Sequence, residues 1–510
     1  MWPAANEKEK YSIFEERVLQ KIKGKEDLGE AKEEVSRFAA VIYETAVEEF
    51  GTNESKRTEK KLRGKSRKEK KLEKIRREKR DLRKQWKAAL PEQKEGLKVL
   101  YDDLKEKSRT MQRHIRRRKR RRESKRTREQ FIKNPYEASK KLFTEARSGS
   151  LKCTKEKLDT HVRQTYSDQE RDQPMPPMDG LFYPTPPSFK FPLEPLREHE
   201  VDDFVKKARA KSAPGADGVS YRVFKYCKKL RHSLFRLLDW LWYDKELVDE
   251  WCTAEGIYLP KEANAQEISQ FRPISLLNVC GKIYFGIIAK RTVTFLQRNH
   301  YIDESIQKAG VPGIPGCVEH AFSIWEAIQT AKNKKEDLNV VWLDLANAYG
   351  SVPHELLMKA MEFFHIPVAV RLLMKRYYDH FQMRFTTEKF TTEWHRLEVG
   401  IAAGCTISVI WFILVMEMLL RSTNCTENEA KVKAPKKAFM DDVTLLIREE
   451  DEMNKVLSRL DELVTWSRMK FKPKKSRSLS FKKGVQHDVK FSIIGSGLRG
   501  MMKLGRVLVL

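Results

Sequence analysis

Two adjacent carboxylates, Asp441 and Asp442, stand inside the run Ala438-Phe439-Met440-Asp441-Asp442-Val443-Thr444-Leu445-Leu446-Ile447. Val443 to Ile447 is aliphatic and β-branched, so it reads as a buried strand. Ala438-Phe439-Met440 can form its partner, with the two Asp residues at the tight turn between them. Unpaired carboxylates beside an apolar core are costly. A divalent cation removes that cost, and Mg²⁺ prefers one or two carboxylates completed by substrate phosphates. A second carboxylate of the same kind, Asp344, ends the apolar run Asn339-Val340-Val341-Trp342-Leu343. It precedes Asp441 by 97 positions, so only strands of one sheet could bring the two together. Two strand-end carboxylates sharing two metal ions is the arrangement used for in-line phosphoryl transfer. On its own, an Asp-Asp pair is more often a solvated turn.

The chain that must position these groups has 510 residues, enough for several domains and a large core. It carries 101 Lys and Arg against 72 Asp and Glu, a net charge of +29, which suggests a polyanionic partner, most simply nucleic acid. Its seven cysteines (153, 227, 252, 280, 317, 405, 425) are scattered and never spaced as Cys-x-x-Cys, so neither a zinc knuckle nor a disulfide framework is readable. Reduced thiols in an intracellular protein are the plain account. The start, Met1-Trp2-Pro3-Ala4, is not a signal peptide. The longest apolar run, 407–420, is 14 residues with Glu417 inside it, which predicts a buried helix and no membrane span.

Charge is unevenly spread. Residues 51–130 hold 34 Lys and Arg against 13 Asp and Glu, so 21 of the 29 net charges lie there. Runs such as Arg116-Arg117-Arg118-Lys119-Arg120-Arg121-Arg122 cannot build a core. Leu72, Ile75, Leu82 and Trp86, then Leu97, Leu100, Leu104 and Met111, hint at coiled-coil seams broken at Pro91, and leave self-association through such a seam open. The expected role is phosphate-backbone contact without sequence choice; a solvated helix or a nuclear-localisation run is the plainer account. Before this stretch, Leu28, Ala31, Val35, Phe38, Ile42, Ala46 and Phe50 give one apolar helical face. After it, eight prolines fall within 173–196 with Phe182, Tyr183, Phe189 and Phe191, which predicts a strap docked on a domain surface.

Asp344, Gly400-Ile401-Ala402-Ala403-Gly404-Cys405-Thr406-Ile407-Ser408 and Phe439-Met440-Asp441-Asp442 occur in the order of the three palm motifs of reverse transcriptases. Ala213-Pro214-Gly215-Ala216-Asp217-Gly218-Val219, Phe271-Arg272-Pro273-Ile274-Ser275-Leu276-Leu277-Asn278, and Gln307-Lys308-Ala309-Gly310 with Pro315-Gly316-Cys317 resemble finger motifs of the enzymes of non-LTR (LINE-type) retrotransposons. The resemblance covers about residues 196–506. Any one motif would be weak; six in order are specific.

The resemblance implies an α+β fold: right-hand polymerase fingers and palm with an N-terminal basic helical extension. The divisions it suggests are a basic helical arm over 1–130, a helix and Pro-rich linker over 131–196, fingers over 197–335 and palm over 336–510. It implies RNA-directed DNA polymerisation with two Mg²⁺ ions held by Asp344 and Asp441, and Asp442 as a supporting carboxylate. RNA template, DNA primer and deoxynucleoside triphosphates are the implied partners. Lys261 and Arg272 match basic positions that meet the triphosphate, for which the guanidinium fork is suited. Tyr349 matches an aromatic gate that collides with a 2′-hydroxyl, and Gly404 a backbone that approaches the nucleotide. Lys475, with Lys474 as its neighbour, matches a lysine that protonates leaving pyrophosphate. Ala403 departs from the family, which usually has Gln there. Val489-Lys490-Phe491 and Lys503-Leu504-Gly505 resemble the last palm hairpin, and neither a thumb nor an endonuclease motif is readable. A decayed element copy that binds nucleic acid without turnover is the alternative. An RNA polymerase on the same palm is a further one, which Tyr349 opposes.

Overall fold

The computed structural model describes residues 2–4, 6–23, 29–51, 66–133, 147–310, 316–423, 436–493 and 496–500. The fold is α+β. It divides into two units, the first of residues 1–51, 151–259 and 266–510, the second of residues 52–150 with 260–265. The single arm expected over 1–130 is therefore split. Helix α1 (Lys8–Lys23) buries Tyr11, Phe14 and Val18, and α2 (Ala31–Phe50) buries Ala31, Val35, Phe38, Ile42 and Ala46. These apolar faces join the large core of the first unit, where Phe38 stacks on Phe224. Leu28 and Lys503 to Gly505 lie outside the described residues.

The second unit contains the basic hairpin. Its helices are α3 (Arg67–Ala88) and α4 (Pro91–Lys133). Ser66 caps α3 by accepting from Glu69 N at 3.4 Å, while the Glu69 carboxylate accepts from Ser66 N at 2.7 Å. Pro91 opens α4 at the first helical position, where its missing N–H costs nothing. The broken seams meet each other within the chain. Leu72 and Ile75 are buried, and Lys79 and Lys94 lie over the rings of Tyr101 and Trp86 at 5.4 and 5.9 Å. Arg116 to Arg122 are mostly exposed.

The rest of the first unit runs through α5 (Lys155–Tyr166), α6 (Glu198–Lys207), α7 (Tyr221–Tyr226), α8 (Lys228–Asp244), β1 (Thr253–Pro260), β2 (Phe271–Leu276) and α9 (Val279–Arg298). Between α5 and α6 the Pro-rich stretch is a strap. Phe191 and Leu196 are buried, Trp242 Nε1 donates to Glu194 O at 3.0 Å, and Trp466 Nε1 donates to Pro176 O at 2.8 Å. Phe182 and Tyr183 remain largely exposed.

Next come α10 (Cys317–Lys334), β3 (Leu338–Leu343), α11 (His354–Phe363), α12 (Val368–His380), β4 (Gln382–Phe385), β5 (His395–Arg396) and α13 (Ser408–Arg421). The predicted apolar helix is α13, buried almost throughout. Among the described residues no helix is long and apolar enough to cross a membrane. The chain continues through β6 (Lys436–Phe439), β7 (Asp442–Ile447), α14 (Glu450–Trp466), β8 (Arg477–Lys482), β9 (Val485–His487), β10 (Ser492–Ile493), β11 (Ser496–Gly497) and β12 (Arg499–Gly500).

Strands β2, β1, β4 and β5 form one sheet in that order; the central sheet has the order β12-β8-β3-β7-β6, with β9 added on β8. In the central sheet β3 is antiparallel to both β7 and β8. Val341, Leu343, Val443, Leu445 and Ile447 face the main core. Leu338, Val340, Leu446, Leu479 and Phe481 face Ile324, Ile328 and Ala331 of α10. Both faces are covered, which is why these strands read as nearly unbroken apolar runs.

Candidate active site

The register of the central sheet assembles the carboxylates. In the β6–β7 hairpin the last pair is Phe439 with Asp442, leaving Met440 and Asp441 as a two-residue turn. Such turns need positive φ at the first loop residue or at both, and Met440 has φ 59°. Between β3 and β7, Leu343 pairs with Val443, so Asp344 leaves its strand beside Asp442. The hairpin expected around the Asp pair is present, but the turn is Met440-Asp441 and not Asp441-Asp442: Asp442 already begins β7, and Met440 lies outside β6. Burial, and then the Asp344 charge, push the Asp441 carboxyl above its ordinary value. Burial, Asp441 and Asp344 push Asp442 up as well.

A segment before β8 lies along the chain that follows β3. Lys472 N donates to Asp344 O and Ala346 N donates to Lys470 O, each at 2.7 Å. Asp344 N donates to Ser476 Oγ at 3.3 Å, and that hydroxyl donates to Lys472 O at 3.1 Å. The segment delivers two ammonium groups to one carboxylate. Lys475 Nζ lies 4.0 Å from Asp344 Oδ2 and Lys472 Nζ 3.8 Å from Oδ1. Both pairs are solvated, so each is worth less than about 1 kcal/mol. Lys475 therefore stands beside Asp344, while Lys474 is exposed and offers its backbone carbonyl to Arg477 at 2.7 Å. Lys472 was not legible in the sequence, because it is placed beside Asp344 by pairing between segments distant in the chain, including the bridge between Leu345 and Phe471.

Tyr349 packs against the same turn. Its ring stacks on Phe412 with centroids 4.9 Å apart and planes 11° apart, and its hydroxyl points at Met440 Sδ at 3.9 Å. Burial, helped by the Asp441 charge, pushes its hydroxyl up to about 12. Arg272, exposed on β2, is near enough for its charge to favour the ionised Asp441. Gly404 has φ 124°, and a Cβ there would lie 2.5 Å from Ser275 O. The close approach that demands glycine is thus to the neighbouring β2 backbone, where Ser275 N donates to Ala403 O at 2.8 Å. Lys261 belongs to the second unit, whereas the carboxylate site is built from the first.

The loop before α13 is held from behind. Ile401 N donates to Tyr349 O at 2.7 Å and Gly400 N donates to Val352 O at 2.8 Å. At Gly400, φ is 93° and a Cβ would lie 2.7 Å from Gly350 Cα. His354 donates from Nε2 to Gly400 O at 2.8 Å, and its Nδ1 accepts from Arg171 at 3.0 Å. Those partners fix the neutral tautomer. Burial is the main reason its imidazolium is disfavoured, down to about 4.

The donor set suits a hard divalent cation: carboxylate oxygens gathered at one edge, two of them with their ionised forms disfavoured by burial and mutual repulsion. Among the described residues no group of three or more His, Cys, Asp or Glu side chains is placed to hold a metal ion by itself. Mg²⁺ does not require one, since it usually keeps substrate phosphates and water as ligands.

Residues 259–495 match the profile of the reverse transcriptase (RNA-dependent DNA polymerase) family. The chain is 24% identical over 285 residues to the retrovirus-related Pol polyprotein from the type-1 retrotransposable element R2 of Nasonia vitripennis, a stretch covering 55% of this chain and 27% of that protein. It is also 24% identical over 193 residues to the probable RNA-directed DNA polymerase from transposon BS of Drosophila melanogaster, covering 36% of this chain and 20% of the relative. A solved structure of apo telomerase from Candida tropicalis, truncated from its C-terminal domain, aligns with a TM-score of 0.34 and 12% identity, over 49% of this chain and 53% of that one. The chain spans about a quarter of the length of the curated relatives it matches. It carries a reverse transcriptase domain. That domain is of the non-LTR retrotransposon kind. Reverse transcriptases as a family depend on divalent metal.

Proposed function

We propose that the chain is an RNA-directed DNA polymerase of a non-LTR retrotransposon, a nucleotidyltransferase that extends a primer on an RNA template. The observation that carries this is the register pairing Leu343 with Val443, which gathers Asp344, Asp441 and Asp442 at one end of the sheet inside the reverse transcriptase domain. The central sheet then corresponds to a palm and the β1–β2 pair to fingers. In the reaction a primer 3′-hydroxyl attacks the α-phosphate of a deoxynucleoside triphosphate, and pyrophosphate leaves. Asp344 and Asp441 would hold two Mg²⁺ ions, which activate the hydroxyl and stabilise charge on the leaving group. Asp442 raises the negative potential that attracts them. Lys475 stands where it can neutralise and protonate departing pyrophosphate, with Lys472 beside it. Arg272 faces the triphosphate. Tyr349 closes the space a 2′-hydroxyl would need. The loop at Gly404 braces the β2 backbone beneath the nucleotide. The basic hairpin holds template RNA through its phosphates.

The test is primer extension on an RNA template with Mg²⁺, supplying deoxynucleotides in one arm and ribonucleotides in the other. Extension with deoxynucleotides supports the reading. RNA binding without extension under all conditions contradicts it and favours a chain that has kept the fold alone.

A further inference from the structure

Gln307 has no exposed surface, yet it carries a primary amide. The reason lies beside the catalytic turn. Ile306 to Lys308 runs along β6: Ala438 N donates to Ile306 O at 2.8 Å, Lys308 N donates to Ala438 O at 3.3 Å, and Gln307 forms a parallel bridge with Ala438. This ladder ends where the hairpin turns. There the Gln307 side chain continues it. Met440 N donates to Gln307 Oε1 at 3.1 Å, and Gln307 Nε2 donates to Met440 O at 3.4 Å. Ala309 N donates to the same Oε1 at 3.1 Å, which fixes the orientation of the amide.

Met440 is a residue that needs holding. It has a side chain and φ 59°, a conformation that only glycine takes without steric cost. Its immediate neighbour is Asp441, so a change in the Met440 backbone re-aims that carboxylate. The lever is short, and the clamp grips both polar groups of the Met440 backbone.

We propose that Gln307 is a positioning residue: it locks the left-handed turn at Met440 and thereby aims the Asp441 carboxylate at the metal-dependent step. The proposal rests on the polymerase reading above. Its chemistry is specific. A glutamate keeps the shape and the acceptor but has no donor for Met440 O when ionised, and a methionine keeps the volume but has neither.

The experiment uses the full chain with Gln307→Met, Gln307→Glu and the double variant Gln307→Met with Met440→Gly. Four quantities are read: thermal melting, amide exchange of the 436–447 segment, Mn²⁺ affinity of the nucleotide-free protein, and kcat and KM for a deoxynucleotide. Gln307→Met is expected to fold, to exchange the Met440 and Asp441 amides about tenfold faster, and to bind Mn²⁺ about tenfold more weakly. Its kcat falls about 10- to 100-fold with KM for nucleotide within about twofold, the pattern of a lost transition-state alignment. Met440→Gly restores part of the Mn²⁺ affinity and kcat in the Gln307→Met background, because glycine takes positive φ without a clamp. Unchanged exchange and affinity in Gln307→Met overturn the proposal, as does a loss that Met440→Gly leaves untouched; Gln307 is then ordinary core. If Gln307→Met melts below the assay temperature, Gln307→Glu is read against the same criteria. If the wild-type chain neither binds Mn²⁺ nor extends a primer, the polymerase reading fails separately, and the amide exchange of Gln307→Met against wild type still decides the clamp.

Discussion

At the end of the central sheet three carboxylates are held where apolar strands stop, and the lysines that meet Asp344 do so at 3.8 and 4.0 Å. Along α4, Arg116 to Arg122 place seven cations in a row on a solvated helix. In the first region burial and neighbours move the Asp441 and Asp442 carboxyls off their ordinary values. In the second, the cations stand exposed to water. The lesson is that charge does two kinds of work here. At the turn the position of each oxygen matters and the number of charges is small. If the hairpin holds RNA as proposed, the number of its charges should matter there and single positions should be interchangeable.

That contrast is broken most forcefully at Asp344. Asp344→Asn removes one charge and no volume, and kcat should fall by at least about 10³, roughly 4 kcal/mol, because a lost metal ligand acts in the transition state. RNA affinity should change less than about twofold if, as proposed, template RNA is held by the hairpin. Filter binding beside primer extension reads both.

Replacing Arg116 to Arg122 with glutamine does the reverse. Glutamine keeps the helix, so the loss is charge alone. The slope of log affinity against log salt should become shallower by about 0.7 for each phosphate that is no longer neutralised, while kcat at saturating RNA is preserved. A single substitution within the run should be barely detectable in an anisotropy titration at several salt concentrations. An unchanged slope for the full set would make the hairpin a solvated or partner-binding element.

Tyr349→Val probes the turn without touching charge. The ring's stacking on Phe412 and its contact with Met440 motivate it. The preference for deoxy- over ribonucleotides should fall about ten- to a hundredfold. An unchanged ratio of the two incorporation rates would assign Tyr349 to packing only.

Titration separates the regions by a smaller effect. His354 is neutral in the fold, with its pKa lowered to about 4 from 6.5. Between those values the unfolded chain binds the extra proton, so stability falls as pH is lowered from about 6.5 toward 4, by at most about 3 kcal/mol. Denaturant midpoints of wild type and His354→Gln across that range should converge at acid pH. Parallel curves would mean that His354 is not held neutral.

Much of the sheet was legible because its signals are local. Val443 to Ile447 is β-branched and apolar, Asp344 ends a run of the same kind, and the Asp pair marks the start of β7, with Asp441 in the turn from β6. The strap was legible from its prolines and aromatics, although Phe182 and Tyr183 stay exposed where docking would have covered them. What could not be read was set by contacts distant in sequence. The apolar face of α2 looks the same whether it meets the arm or the core, and it meets the core. Lys472 acquires its place from a bridge between Leu345 and Phe471. Gly404 is needed because Ser275, 129 positions earlier, occupies the space of a Cβ. A buried amide such as Gln307 leaves no periodic trace at all; only its three hydrogen bonds reveal what it holds.

The most direct measurement of the account is the single-turnover rate of RNA-templated primer extension by Asp441→Asn, in protein shown by circular dichroism to be folded. Asparagine keeps the volume and ends the repulsion with Asp344, so folding should be unharmed. The rate with Mg²⁺ and deoxynucleotides should fall below about a thousandth of wild type. A variant that keeps more than about a tenth of the wild-type rate would contradict it, because losing one of two metal-holding carboxylates should cost several kcal/mol of barrier.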